Sequence, residues 1–248
     1  MKLTLLVFLH AFLCLPVLAQ QRTDKDLADL RGPVHVVRTT TFHTEKTGKT
    51  VKEIIHSEIV ETYERQGNLI EKRDAVGTYS SKSLFSRAAQ GSRVEKIIDL
   101  PLDPAAPPPP IVPGPGERGE AFLTLVTTYQ FDPENKRLEA TTHRRSGQLL
   151  QVDPYLFDEK GWLVEYARKD RPEDAYGARF RFVYKRNEQG IVTESTSYAV
   201  DGQVESREHY QATVDKHGNW IRRIETHSDA NGKTDEAQWT SVRTITYY

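Results

Sequence analysis

The chain is 248 residues long, with 34 Lys and Arg against 35 Asp and Glu and a formal net charge of −1. That balance excludes the basic excess of a dedicated nucleic-acid binder. The single cysteine, Cys14, excludes a disulfide framework.

Residues 1–19 read as a secretory signal peptide: Lys2 supplies the positive start, residues 3–15 are almost wholly apolar, and Val17, Leu18 and Ala19 form the cleavage site. The apolar run is too short to span a bilayer as a helix, so no transmembrane segment is expected in the mature chain. A lipoprotein would need a small residue before Cys14, where Leu13 stands. Cleavage after Ala19 then sends a mature chain from Gln20 onward to the periplasm or outside the cell. That chain keeps no cysteine and no methionine, so thiolate chemistry and cysteine-ligated metals are excluded.

Residues 24–30 predict a short helix, capped by Asp24, with Leu27 and Leu30 on one face and Gly32-Pro33 as the stop. Strands are expected at 34–42, 51–63 and 69–73, with turns at Gly48 and at Gln66-Gly67-Asn68. Residues 81–89 read as a short helix or loop, and 94–100 as strand again. Eight of the chain's 13 prolines fall within 101–119, including Pro107, Pro108, Pro109 and Pro110. Proline gives no N–H to a ladder, and a run of four favours an extended polyproline helix. A long surface loop within one sheet is preferred to a linker between subdomains, because both flanks carry the same strand-and-turn grammar.

From residue 122 the pattern is regular. Strands are expected at 122–131, 138–144, 149–157, 162–167, 179–184, 191–198, 204–214, 220–226 and 239–247. In the fifth of these, Phe180, Phe182 and Tyr184 take one face, and Arg179, Arg181 and Lys185 the other, the period of a half-buried strand. Glycines 147, 161, 177, 190, 202, 218 and 232 mark turns one strand apart, the spacing of an antiparallel meander. The expected fold is all-β: a single domain over residues 20–248, a meander of about ten or more strands, strongly curved or closed into a barrel, with the short N-terminal helix as plug or cap. Its apolar face is expected to be buried by that curvature.

The units Phe157-Asp158-Glu159-Lys160-Gly161-Trp162-Leu163, Tyr198-Ala199-Val200-Asp201-Gly202-Gln203-Val204 and Val214-Asp215-Lys216-His217-Gly218-Asn219-Trp220 resemble the aromatic-Asp-x-x-Gly-x-apolar signature of YD-repeat (Rhs-type) proteins. The opening Asp29-Leu30-Arg31-Gly32-Pro33-Val34-His35-Val36-Val37 is similar to the start of small exported bacterial proteins of unknown function that carry such repeats. Only the Phe157 and Val214 units keep Asp at the second place. The resemblance implies β-hairpin repeats and does not import toxin encapsulation.

Catalytic signatures are sparse. None of the mature histidines (His35, His43, His56, His143, His209, His217, His227) has a metal-binding spacing. His217, in a turn, and His209 are expected at the surface. No nucleophile elbow and no phosphate-binding glycine loop occurs. Carboxylates are abundant, but those in Glu205-Ser206-Arg207-Glu208 read as a charged sheet face rather than a glycosidase pair. Phe180, Phe182, Tyr184, Trp220 and Trp239 read as core before carbohydrate platform. No cofactor is expected. The function expected is non-catalytic binding or scaffolding in the cell envelope, with an envelope protein or polysaccharide as partner; the alternative is a hydrolase of envelope polysaccharide. Turn parity puts the proline-rich loop and residues 170–177 at one end of the meander, so Pro107 to Pro110 and Tyr176 are the expected binding residues.

Overall fold

The computed structural model describes residues 23–47, 50–77, 79–88, 92–100, 123–170 and 180–248. It contains one short helix, α1 (Asp24–Leu27), and fourteen strands. These are β1 (Val34–Thr47), β2 (Thr50–Tyr63), β3 (Leu69–Val76), β4 (Tyr79–Arg87), β5 (Arg93–Leu100), β6 (Leu123–Asp132) and β7 (Arg137–Arg144). They continue as β8 (Leu149–Phe157), β9 (Leu163–Asp170), β10 (Phe180–Arg186), β11 (Val192–Tyr198), β12 (Val204–Val214), β13 (Trp220–Asp229) and β14 (Thr234–Tyr247). Every strand pairs antiparallel with its neighbours in sequence, and β14 pairs with β1, so the meander closes into a barrel.

Local chemistry explains the hairpins. Seven of them close on the same five-residue turn: the first residue's N–H donates to the fifth's carbonyl, and the N–H of a glycine at the fourth donates to the first's carbonyl. The glycine takes a positive φ, as at Gly218 (φ 82), where a side chain would strain the backbone. At Asp158, Asn187, Asp215 and Asp229 the side-chain Oδ1 also accepts from the backbone N–H groups two and four residues on.

Two local expectations are corrected. Residues 79–87 form strand β4 rather than a helix or loop, with the small side chains of Ser81 and Ser83 buried between β3 and β5. Helix α1 is shorter than residues 24–30, and its cap is Thr23, whose side chain accepts from the Asp26 N–H while the Asp26 carboxylate accepts from the Thr23 N–H. Asp24 faces the barrel instead.

The larger correction concerns the interior. Register puts Ser81, Ser83, Phe85 and Arg87 of β4 on the same face as Arg93 of β5, Thr127 and Tyr129 of β6, and Asp153 and Tyr155 of β8. This inward row is polar and aromatic, not apolar. Among the described residues one apolar cluster forms; it is small and sits at the barrel mouth, where Leu30, Val34, Val37, Tyr63 and Leu69 are buried together. Each such side chain contributes about 1.5–3 kcal/mol.

The outward row is charged. Glu71 pairs with Lys82 at 2.9 Å, Lys185 with Glu194 at 2.6 Å, and Arg181 with Glu165 at 3.1 Å, all across adjacent strands. Such exposed pairs add little stability. They stand on the outer face among exposed apolar side chains such as Leu84, Leu156 and Val242. Among the described residues no helix is long and apolar enough to cross a membrane.

Candidate functional site in the barrel lumen

Residues 101–122 and 171–179 lie outside the described residues, and with them Pro107, Pro108, Pro109, Pro110 and Tyr176. The strands that flank them are placed. β5 ends and β6 begins at the same barrel end where β9 ends and β10 begins. Strand pairing therefore agrees with the turn parity read from the sequence. This end, opposite the N-terminal mouth, is called the far end below.

At the near end the chain's own N-terminal segment lies across the mouth. Asp24 is its first anchor: one carboxylate oxygen accepts from the Leu69 N–H at 3.0 Å and from Arg87 at 2.9 Å, and the other from Arg93 at 3.3 Å. The Lys25 N–H donates to the Gly67 carbonyl at 2.9 Å. On the opposite wall Asp29, at φ 57, meets Arg186 at 2.6 Å. The last anchor is Asn219, only 1% exposed. Its side chain accepts from the Arg31 N–H at 2.7 Å and donates to the Arg31 carbonyl at 2.9 Å and to the Tyr247 hydroxyl at 2.8 Å. Tyr247 in turn donates to Asp215. That hydrogen bond and two backbone N–H groups hold the Asp215 carboxyl below its ordinary range, although burial opposes them most strongly. His217, expected at the surface, is half-buried against the Tyr247 ring at 4.3 Å. His209 is exposed, as expected, and lies 3.7 Å from Glu194. The turn at 215–219 is thus both a hairpin turn and the socket for the N-terminal segment.

Beneath this segment, two cavities in the lumen are lined by described residues. The first, of about 170 Å³, lies on the β10–β14 side. Its polar wall is a stack of rings and guanidiniums: Arg243 lies 3.6 Å from the centre of the Trp220 ring, and Arg223 lies 4.7 Å from Trp220 and 4.5 Å from Tyr210. Arg186 completes the cationic side, and Leu27, Leu163 and Ile191 supply an apolar side. The Arg243 Nε donates to Thr39 at 3.3 Å. Burial, with Arg223 close by, pushes the Arg243 guanidinium down to about 10, against the attraction of Glu61. It stays charged at neutral pH.

The second cavity, of about 240 Å³, lies on the β5–β8 side, between Asp24, Arg93, Tyr129, Asp153 and Tyr155. Glu61 also lines this cavity, and the cavity's two aspartates are both occupied. Asp24 holds Arg87 and Arg93, and Asp153 holds Arg168 at 3.0 Å while accepting from Tyr166 at 3.2 Å. Burial raises the Tyr129 and Tyr155 hydroxyls, so both are neutral donors.

Deeper in the lumen, Glu208 accepts from the Tyr210 hydroxyl. Glu225, on the neighbouring strand, has its carboxyl raised by burial and by the Glu208 charge. Glu208 thus points inward, which corrects its reading as part of an outer charged face, whereas Glu205 is exposed. Phe180, Phe182, Tyr184 and Trp220 are also inward, where they pack against arginines as well as one another. Among the described residues no group of three metal-ligating side chains converges.

Sequence reasoning missed Arg93, Arg223 and Glu61, and placed Arg243 in its strand's alternate row without drawing a role from it. The available signal was parity: Arg243 shares the alternate row of Trp239, Ile245 and Tyr247, which marks an inward charge.

No family model matches the chain, and no curated protein does. Among solved structures, a porin-like protein from Bacteroides uniformis is similar with a TM-score of 0.43 and 11% identity, covering 87% of this chain and 98% of that one. A porin-like protein from Bacteroides vulgatus follows at 0.37 and 12%, covering 84% and 98%. A DUF1329 family protein from Desulfovibrio piger gives 0.27 and 8%, covering 86% of each chain.

Proposed function

We propose that this chain is an exported, non-catalytic binding protein of the bacterial cell envelope. The observation that carries this reading is the lumen. Its inward row is built from arginines, carboxylates and aromatic rings around two cavities, and a β-barrel needs no such row to fold. The leader at residues 1–19 supports export, and the Asp-x-x-Gly turns support kinship with the exported YD-repeat-like proteins. The charged outward row fits a barrel that meets its partners from water.

Partner docking is assigned to the far end, through Pro107 to Pro110 and Tyr176. Replacing residues 104–115 by a Gly/Ser linker leaves the thermal midpoint nearly unchanged and weakens retention on cell-wall and outer-envelope fractions. Full retention by that variant removes the far end from the proposal, and absence of saturable retention by the native chain overturns envelope binding altogether.

One observation favours a second reading, hydrolysis of envelope polysaccharide. The Glu225 carboxyl is raised by burial and by the Glu208 charge on the neighbouring strand, the direction in which a glycosidase's acid is shifted. Release of reducing sugar by the native protein, abolished in Glu225→Gln, would establish it in place of the first.

A further inference from the structure

The two lumen cavities differ in how their cations are satisfied. Around the β5–β8 cavity Arg87, Arg93 and Arg168 each reach a carboxylate, although the Arg93 Nε is buried without a hydrogen-bond partner among the described residues. In the β10–β14 cavity, among the described residues, only Arg186 has a close carboxylate, Asp29 at 2.6 Å. Arg223 reaches Glu225 at 3.6 Å through one terminal nitrogen, and its Nε is buried without a hydrogen-bond partner. Arg243 has no ion pair among the described residues, and its one hydrogen bond there is the Nε contact to Thr39. Its terminal nitrogens therefore carry donors that no described protein group accepts. Three arginines and one carboxylate line this cavity.

A buried guanidinium without an acceptor is costly, and a neighbouring one adds repulsion. Trp220 offsets part of that by presenting its ring to both guanidiniums, and Tyr210 by presenting its ring to Arg223, but a ring face accepts nothing from the in-plane N–H groups. Those edges are suited to a planar oxyanion, which a guanidinium binds with two parallel hydrogen bonds. The opposite wall is apolar, from Leu27 and Ala28 of the N-terminal segment to Leu163, Ile191 and Val192. A bare inorganic anion would leave that wall uncovered. At about 170 Å³ the cavity is far larger than the ~10–15 Å³ that one water requires.

We infer that the β10–β14 cavity is a binding site for a small organic carboxylate, with the carboxylate on Arg223 and Arg243 beside Trp220 and the apolar body under the N-terminal segment. The inference rests on the reading of the lumen as a binding surface and names the ligand class for one of its cavities. Glu61 lines the other cavity, and its carboxyl is raised by burial despite Lys72 and Arg243. It attracts the Arg243 guanidinium without forming an ion pair with it among the described residues.

Hexanoate, its neutral isostere hexanamide and inorganic phosphate serve as probes, titrated into the mature chain by calorimetry and by tryptophan fluorescence. Hexanoate is expected to bind saturably and perturb Trp220 emission. Hexanamide and phosphate are expected to bind about tenfold more weakly or worse, one lacking the charge and the other the apolar body. Arg243→Gln and Arg223→Gln are each expected to weaken hexanoate about tenfold without changing hexanamide. Equal binding of hexanoate and hexanamide by the native protein overturns the carboxylate assignment, and needs no variant to fold. Phosphate binding as tight as hexanoate overturns the apolar half. If no probe binds, the site is wrong, whereas envelope binding stands or falls on its own retention experiment.

Discussion

At the residue scale, the side chains that matter most are polar groups buried with full partners. Asn219 is the clearest. Its amide joins Arg31 and Tyr247, and so ties the N-terminal segment to the turn at 215–219. Asn219→Ala leaves the Arg31 N–H and carbonyl unpaired inside the barrel. Loss of those partners costs about 2–3 kcal/mol, which for a domain of this size lowers the thermal midpoint by roughly 5–10 °C. A shift below about 1 °C in a thermal melt, well under that range, would show that water replaces the amide without penalty. Glu225 gives a prediction of opposite sign. Burial, with Glu208 beside it, raises its carboxyl above the ordinary value. The folded state then holds its proton more tightly than the unfolded chain does. The ionised group costs stability once pH exceeds the unfolded value, and that cost is complete above the folded one. Glu225→Gln should therefore stabilise the barrel relative to the native chain at pH 7 and lose that advantage at pH 4. Paired melts at the two values decide it; an advantage that is constant with pH would mean that Glu225 is not ionising in this range.

At the element scale, the repeating unit is a strand plus a five-residue turn, and this part of the fold was legible. An Asp or Asn three residues before a Gly sets both the turn's backbone and its side-chain hydrogen bonds, so chain spacing alone located most of β6 to β14. Strand β4 was not legible. Its inward positions are Ser81 and Ser83, small polar residues whose burial depends on neighbours across the sheet rather than on their own propensity. The turns are alike in backbone but not in surroundings, which separates two contributions to their stability. Gly202 and Gly190 both have positive φ, 83° and 81°. A Cβ at Gly202 would meet nothing within 4 Å, while one at Gly190 would come within 2.5 Å of Trp162 and 2.6 Å of the Arg31 guanidinium. Gly202→Ala should cost only the left-handed backbone term, about 1–2 kcal/mol. Gly190→Ala should cost clearly more and should also loosen the hydrogen bond from Arg31 to the Gln189 carbonyl. Denaturant melts of the two variants test the difference; equal losses would mean that Trp162 and Arg31 move aside freely.

At the scale of the whole molecule, closure replaces the usual apolar core. A curved sheet was readable from the alternation of residue types, but the polarity of its inner face was not. Arg223 and Glu61 look in sequence like the solvated charges of an ordinary strand; Arg243 shares a row with Trp239, Ile245 and Tyr247, and the pairing of β14 with β1 makes that row the inside of a barrel. The buried apolar cluster is confined to the mouth. Cohesion must therefore come from the unbroken ring of ladder hydrogen bonds and the polar networks it encloses. Two truncations distinguish ring from plug. A chain that begins at Gly32 keeps all fourteen strands and their pairings, and loses the anchors at Asp24, Asp29 and Arg31. It should keep its far-UV strand signal, melt at lower temperature, and expose Trp220 to quenching by acrylamide. A chain that ends at Gln238 loses the part of β14 that pairs with both β13 and β1. That opens two edges at once, each a template for intermolecular pairing. It should aggregate, or unfold without a cooperative transition. If instead the C-terminal truncation melts as cooperatively as the full chain while the N-terminal one collapses, the plug and not the ring holds this protein together.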